Sequence, residues 1–211
     1  MKSIIHERPG VYSSYDASAV VWGGRAIRTI GVAARSTGGT ANAPMTLTSC
    51  EAGVSAFGED AKSAPGMAAM LRLLFLGGAS TVVAVRVEGE DYAAAFAALQ
   101  TVEDVQVIVC DSGDLAAHQA LRSSVEAASA ARRERIAVVG MDGADVSALT
   151  ERAKALNSER MVLVGPNILD SGGQVLPGMF AAAAVAAALA VTRDPAVPLN
   201  GTSLAGLGGA A

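Results

Sequence analysis

The sequence predicts an α/β protein: a mostly parallel sheet with helices on both faces, preceded by a smaller α+β segment and an extended amino-terminal arm. Three observations predict it. Short, almost wholly apolar runs at Val105–Cys110, Ile136–Val139 and Met161–Val164 alternate with helix-length segments, the pattern of strands buried on both faces. Aspartates at positions 91 and 114 stand just before two of those helical segments, where a carboxylate caps the first free N–H groups. Pro9-Gly10 and the polar Ser13-Ser14 and Asp16-Ala17-Ser18 set the first residues apart from everything that follows.

Taken in order, residues 1–18 read as an arm with two short strand-like pieces. Ile4, Ile5, Val11 and Tyr12 flank the break, and Pro9 cannot donate to a central ladder. Such an arm suits an edge, or a strand added to another sheet. It is expected not to pack into its own subunit's core. Residues 19–88 form the α+β segment. Ala19–Trp22 and Ile27–Ala33 have strand character on either side of Gly23-Gly24, and 36–44 is a Gly/Thr/Asn-rich loop. Met45–Thr48 is a further candidate strand. Pro65–Leu76 reads as a helix, with Pro65 at its first turn and Gly77-Gly78 past its end. Ser80–Val87 follows as a valine-rich strand.

Residues 89–199 carry the clear alternation. Asp91 caps a helix Tyr92–Gln100, then comes the strand Val105–Cys110. A long helix Leu115–Arg132 with Asp114 as its cap leads to the strand Ile136–Val139. A helix Asp145–Leu156 precedes the strand Met161–Val164, and Phe180–Thr192 is the last helix. Its segment from Gly178 to Val191 is the most apolar in the chain, but it is mostly Ala and shorter than the roughly 20 residues of a membrane span; it is a buried helix. Phe180, Val185, Leu189 and Val191 are the expected contacts of this helix with the sheet. The stretch 200–211 is Gly/Ala/Leu-rich, predicts no element, and has Leu204 and Leu207 as its sizeable apolar residues.

Composition narrows the function. The 211 residues are 51% hydrophobic and 17% charged, with net charge −4: enough apolar material for a real core and no disorder signature. Arg132-Arg133 with Arg135 is the densest basic run, and Glu134 interrupts it, so the basic face that a phosphate backbone needs is missing and nucleic acid is not an expected partner. Aromatics are 4%. A chain rich in small residues gains stability from many modest contacts, and self-association adds more. Cys50 and Cys110 make no disulfide framework. The first residues lack the apolar stretch of a signal peptide.

In open α/β sheets, ligands bind beyond the carboxyl ends of the strands. The candidates there are Asp111-Ser112-Gly113, Met141-Asp142-Gly143 and Gly165-Pro166-Asn167. One reading makes Asp111 and Asp142 metal or phosphate ligands and, with Asn167, the site of a small-molecule-binding or enzymatic domain. The other makes the same residues caps and turns, as they are in any sheet of this class. The sequence holds no G-x-G-x-x-G after a strand, no G-x-x-x-x-G-K-[ST] and no G-x-S-x-G. His6 lies in the arm, and His118 falls on a helix as a surface or half-buried residue with no nucleophile beside it. Cys110 reads as core rather than nucleophile. No spacing suggests a metal site, and no cofactor is expected. Tyr12 and Trp22 are candidate interface anchors, Trp22 equally a core residue. Arg122, Glu126, Arg132, Arg133, Glu134 and Arg135 read as a solvated helix face.

Particular residues carry a family resemblance. Arg8-Pro9-Gly10-Val11-Tyr12 resembles the R-P-G-V-Y opening of phage tail sheath proteins. Asn157 to Pro166, with its S-x-R lead, resembles that family's helix–strand junction. Pro177-Gly178 to Ala190 resembles the Ala-rich helix that follows, and Asp194-Pro195-Ala196-Val197-Pro198-Leu199-Asn200-Gly201 the segment after it. The resemblance implies a sheath core of subtilisin-like topology without the catalytic triad, in a structural subunit that is not an enzyme. It implies helical stacks of identical subunits around a tail tube protein, with baseplate or tail terminator components at the ends. The setting would be a virion tail or phage-like particle assembled in the bacterial cytoplasm, with neither nucleic acid nor membrane insertion. Contraction would follow from subunit rearrangement, and Ile4, Ile5, Arg8, Pro9, Gly10, Val11 and Tyr12 would exchange strands between subunits. A non-contractile scaffold or adaptor of the same fold is the alternative within the resemblance. In that family the chain continues past this point, so 89–199 is expected to be an incomplete core and 200–211 a truncation point. A longer version should then be the more stable and less aggregation-prone.

Overall fold

The computed structural model describes residues 28–61, 65–143, 145–170, 172–173, 175–192 and 198–210. The arm at 1–18, with His6, and the expected strand containing Trp22 lie outside the described residues. In chain order the elements are β1 (Thr29–Ala34), β2 (Met45–Leu47), α1 (Cys50–Phe57), α2 (Met67–Leu76), β3 (Val82–Arg86), α3 (Tyr92–Gln100), β4 (Val105–Cys110), α4 (Leu115–Ala130), β5 (Ile136–Gly140), α5 (Val146–Leu156), β6 (Met161–Val164), β7 (Ile168–Asp170), β8 (Val175–Leu176), α6 (Gly178–Val191) and β9 (Leu207–Ala210).

Six strands form one sheet in the order β2-β3-β1-β4-β5-β6. Every pair from β3 through β6 is parallel, and only the short edge strand β2 runs antiparallel. The sheet runs unbroken through both segments that the sequence divides at 88/89, because β1 sits between β3 and β4. A second sheet, β8-β7-β9, is antiparallel.

Strand periodicity divides the apolar side chains between two cores. Ile30, Val32, Val82, Ala84, Val107, Val109 and Val138 face one layer, built from α1, α2 and α6. Ala33, Val83, Val85, Ile108, Cys110, Ala137 and Val139 face the other, built from α3 and α4 with Leu156 of α5. Both faces of β1, β3, β4 and β5 are covered, which is why these strands read as continuous apolar runs rather than alternating ones; β6, expected to be buried in the same way, ends the sheet and is only half-buried, with Val162 37% exposed.

Several expectations are corrected. Residues 50–57 carry no element in the sequence reading, yet Ser49 caps a helix there: its hydroxyl accepts from Ala52 N at 3.2 Å. The 200–211 stretch is not featureless. It forms β9 against β7, and Leu207 packs onto the α2–α6 core. The long helix stops at Ala130, and Arg132 turns to positive φ. Asp114 holds the cap position of α4 without a side-chain cap bond; instead its own N–H donates to Ser112 Oγ at 3.2 Å. On α6, Phe180 is buried and the half-buried Val185 and Leu189 pack against the same core, as expected, whereas Val191 does not join it; most of the buried face is made by the alanines 181–184, 186–188 and 190. Methyl-sized side chains let the helix sit close to its neighbours. A Cβ at Gly77 would lie 2.4 Å from that of Ala187, and one at Gly140 only 2.1 Å from the backbone oxygen of Gly178.

Candidate functional site

Because β1, β3, β4, β5 and β6 are parallel, their carboxyl ends share one edge of the sheet. The chain leaves β1 toward the α1–α2 face and β4 toward the α4 face. The gap between β1 and β4 is therefore the topological switch point, where a fold of this class would hold a ligand. Asp111 stands directly in it.

Asp111 is closed off by its own chain. Its side chain has no solvent exposure. Oδ1 accepts from the Tyr92 hydroxyl at 2.6 Å. Oδ2 accepts from Arg35 N at 3.0 Å and Arg35 Nε at 3.1 Å. Burial, with the Asp111 carboxylate against it, pushes the Tyr92 phenol up and keeps it a donor. The aspartate thus clamps the ends of β1 and β4 to the start of α3, and each carboxylate oxygen already has a donor. The cleft beside Arg35, about 230 Å³, is lined by Ser36, Thr37, Asp60 and Gly66. There the start of α2 would offer free N–H groups to an anion. Asp60 occupies it: its carboxylate accepts from Gly66 N, Ala68 N and Ala69 N at 2.9, 3.1 and 2.7 Å.

The structure brings Asp142 and Asn167 together, apart from Asp111. Asn167 Nδ2 donates to Asp142 Oδ1 at 2.8 Å, and Asn167 Oδ1 accepts from Gly143 N and Gly178 N, both at 3.1 Å. Asn167 thereby caps α6, whose N-cap residue Pro177 has no side-chain acceptor to offer. The sequence reading that made these residues caps and turns describes their geometry; the ligand reading gains no support from it.

His118 is not a surface or half-buried residue but fully enclosed. Nε2 lies 2.9 Å from Ser112 O, and Nδ1 lies 3.0 Å from Arg152 Nη1, which also donates to Gly113 O at 2.7 Å. Cys110 is buried, and burial pushes its thiol up to about 12, so it is no nucleophile at neutral pH. Among the described residues no group of three or more His, Cys, Asp or Glu is placed to hold a metal ion.

The basic run also differs from expectation. Arg135 is 1% exposed rather than solvated. It donates to Leu99 O at 3.0 Å and to Val102 O, while Arg133 donates to Gln100 O at 2.7 Å. Two cations therefore close the carboxyl end of α3, where helix carbonyls concentrate negative potential. Arg28 does the same for α6 through Leu189 O and Thr192 O, at 2.8 and 2.7 Å. Sequence reasoning missed Arg28, Arg35, Tyr92 and Arg152, because each acts on a partner distant in sequence, and it also missed Asp60, whose partners lie only six to nine residues on. The position of Asp60 a few residues before an apolar helix was the one available signal.

The chain matches no protein-family model and no curated protein sequence. Solved structures do resemble it. The sheath tail protein of Desulfitobacterium hafniense superposes with a TM-score of 0.61 at 11% identity, over 86% of this chain and 62% of that one. The sheath tail protein Lin1278 of Listeria innocua gives 0.60 at 13% identity, over 79% and 57%. The contracted helical sheath of the anti-feeding prophage gives 0.52 at 19% identity, over 86% and 52%. The fold is that of phage-tail-like sheath proteins, and the chain spans 52–62% of the length of these three.

Proposed function

We propose that the chain is a structural subunit of a contractile tail sheath, one that polymerises around a tail tube and drives contraction by subunit rearrangement. The observation that carries this reading is the six-stranded sheet with its flanking helices, which follows solved sheath proteins over most of its length. The strand-end polar groups support it from the other side. Asp111, Asp142, Asn167 and Asp60 are bound to the chain's own donors, as befits a rigid body that is moved rather than a pocket that reacts.

In this reading the α/β body is the unit that rotates, its core a subtilisin-like topology lacking a triad. The work comes from interfaces with two packed arrangements, since packed surfaces switch rather than deform continuously. Residues 1–18 act as the exchange arm, with Ile4, Ile5, Val11 and Tyr12 supplying the strand and Arg8-Pro9-Gly10 the bend, so neighbours stay joined while the bodies turn. The partners are further copies of the chain, a tube protein, and a baseplate or tail terminator; the setting is a virion tail or phage-like particle. Among the described residues no helix is long and apolar enough to cross a membrane.

The test is electron microscopy of the protein expressed with its tube protein. Regular striated sheaths around tubes are the expected result, lost when residues 1–18 are deleted. Bare tubes beside unpolymerised protein would refute the reading.

A further inference from the structure

The His118–Arg152 contact has a chemical consequence independent of any role in a sheath. A guanidinium can only donate. Arg152 Nη1 lies 3.0 Å from His118 Nδ1, so Nδ1 is the acceptor and the ring is neutral, with its proton on Nε2 and donated to Ser112 O at 2.9 Å. The ring has no solvent exposure. A second proton could go only to Nδ1, against the guanidinium, in a place water does not reach.

Arg152 is also a main tie of α5 to the rest of the molecule. Leu156 is the one fully buried residue of that helix, and Leu149 reaches its neighbour through the bare backbone of Gly165. Arg152 adds its bonds to Gly113 O and His118 Nδ1, joining α5 to the β4–α4 turn. The charged groups facing the ring are Arg152 from α5 and Asp114 from the start of α4; Ser112 O faces it from the turn, and Cys110 Sγ lies against that same carbonyl. Elsewhere on the α4 side, Glu126 is held below the ordinary carboxylate range by Arg122 and then Ser158, so that tie keeps its charge in mild acid.

We propose that His118 and Arg152 form an acid-sensitive latch: protonation of His118 Nδ1 expels Arg152 and frees α5 from α4 while the sheet and the other helices stay folded. The direction of the linkage agrees. Burial, then Arg152, lowers the affinity of the ring for its second proton below the ordinary histidine value, against the opposing pull of Ser112 O and Asp114. The unfolded chain therefore takes up that proton first. The latch is fully stable above about pH 6.5 and weakens as pH falls from there through the folded-state value. A free helix would expose the apolar surface beneath Leu149 and Leu156, which is where an acid-dependent change in association would begin.

Hydrogen exchange by mass spectrometry on the full chain at pH 7.5 and pH 5.0, corrected for intrinsic rates, tests this. Peptides from 146–156 should lose protection at least tenfold at pH 5.0, while β4, β5 and α4 keep theirs. In His118→Gln the amide can accept from Arg152 and donate to Ser112 O but cannot be protonated, so protection of α5 should be equal at both pH values. Arg152→Met should leave α5 poorly protected at both. Unchanged α5 protection in the wild type, or the same acid-induced loss in His118→Gln, would overturn the latch. Should His118→Gln not fold, the ring is titrated by NMR in the wild type: the step must coincide with the loss of α5 protection, and a step without that loss would equally overturn it.

Discussion

Replacing Asp111 by Ala separates a structural clamp from a reactive group. The change removes a fully buried carboxylate that accepts three hydrogen bonds. It leaves the Tyr92 hydroxyl, on a residue 6% exposed, without its acceptor; an orphaned buried polar group costs about 1–3 kcal/mol. The Arg35 N–H loses a bond worth roughly 1 kcal/mol. The Arg35 guanidinium contributes little, since its side chain is 55% exposed and solvent screens the pair. The total is about 3 kcal/mol, or a fall in Tm of roughly 6–12 °C at about 2–4 °C per kcal/mol for a chain of this size. Urea and thermal unfolding should rank the variants Asp111→Ala, then Tyr92→Phe, then Arg35→Ala, the last costing under about 1 kcal/mol. A double-mutant cycle of Asp111→Ala with Tyr92→Phe should show strong coupling. A cost below about 1 kcal/mol for Asp111→Ala, or Arg35→Ala as the most damaging change, would refute the clamp.

Asn167→Ala should lower stability by about 2 kcal/mol through the lost cap of α6 and its link to Asp142, measured by urea unfolding. Asp60→Ala should cost a similar amount, about 2 kcal/mol, because three N–H groups at the start of α2 lose their acceptor. Gly140→Ala forces a Cβ onto the Gly178 oxygen, with backbone on both sides; about 3 kcal/mol or more of destabilisation is expected, and a native-like melting curve would contradict the close approach. At pH 8 a thiol reagent should label the partly exposed Cys50 first and reach Cys110 only on unfolding, since burial holds that thiol at about 12; mass spectrometry of partly labelled protein reads the order directly.

Local chemistry makes much of this fold legible in the sequence. Strands β4, β5 and β6 and helices α2, α3, α5 and α6 fall within a few residues of their expected places. The apolar runs of β4 and β5 are buried between the two helix layers, and Asp91 does cap the helix it precedes, through Ala94 N at 3.1 Å; Asp145, read as the first residue of its helix, is instead its cap, through Ser147 N at 3.0 Å. Elements with weaker local signals were missed. Residues 50–57 form α1 because Leu71 and Leu47 pack against Gly53, and β7, β8 and β9 exist only by pairing with one another. Strands of two to four residues are too short to show a period.

What the sequence alone determined, then, is the α/β class, its alternation and the absence of phosphate-loop and hydrolase motifs. Those depend on neighbours along the chain. The tertiary structure decided what the polar residues do. Asp111 meets Arg35 across 76 positions, Arg135 reaches Leu99 across 36, and Arg152 finds His118 across 34. The same aspartate can be a ligand, a cap or a clamp, and its intrinsic chemistry is identical in all three. Only the packing of β1 and the start of α3 around the end of β4 places a guanidinium and a phenol within reach of its two oxygens, and that packing is set by the collective burial of both sheet faces rather than by any residue near Asp111 in the chain.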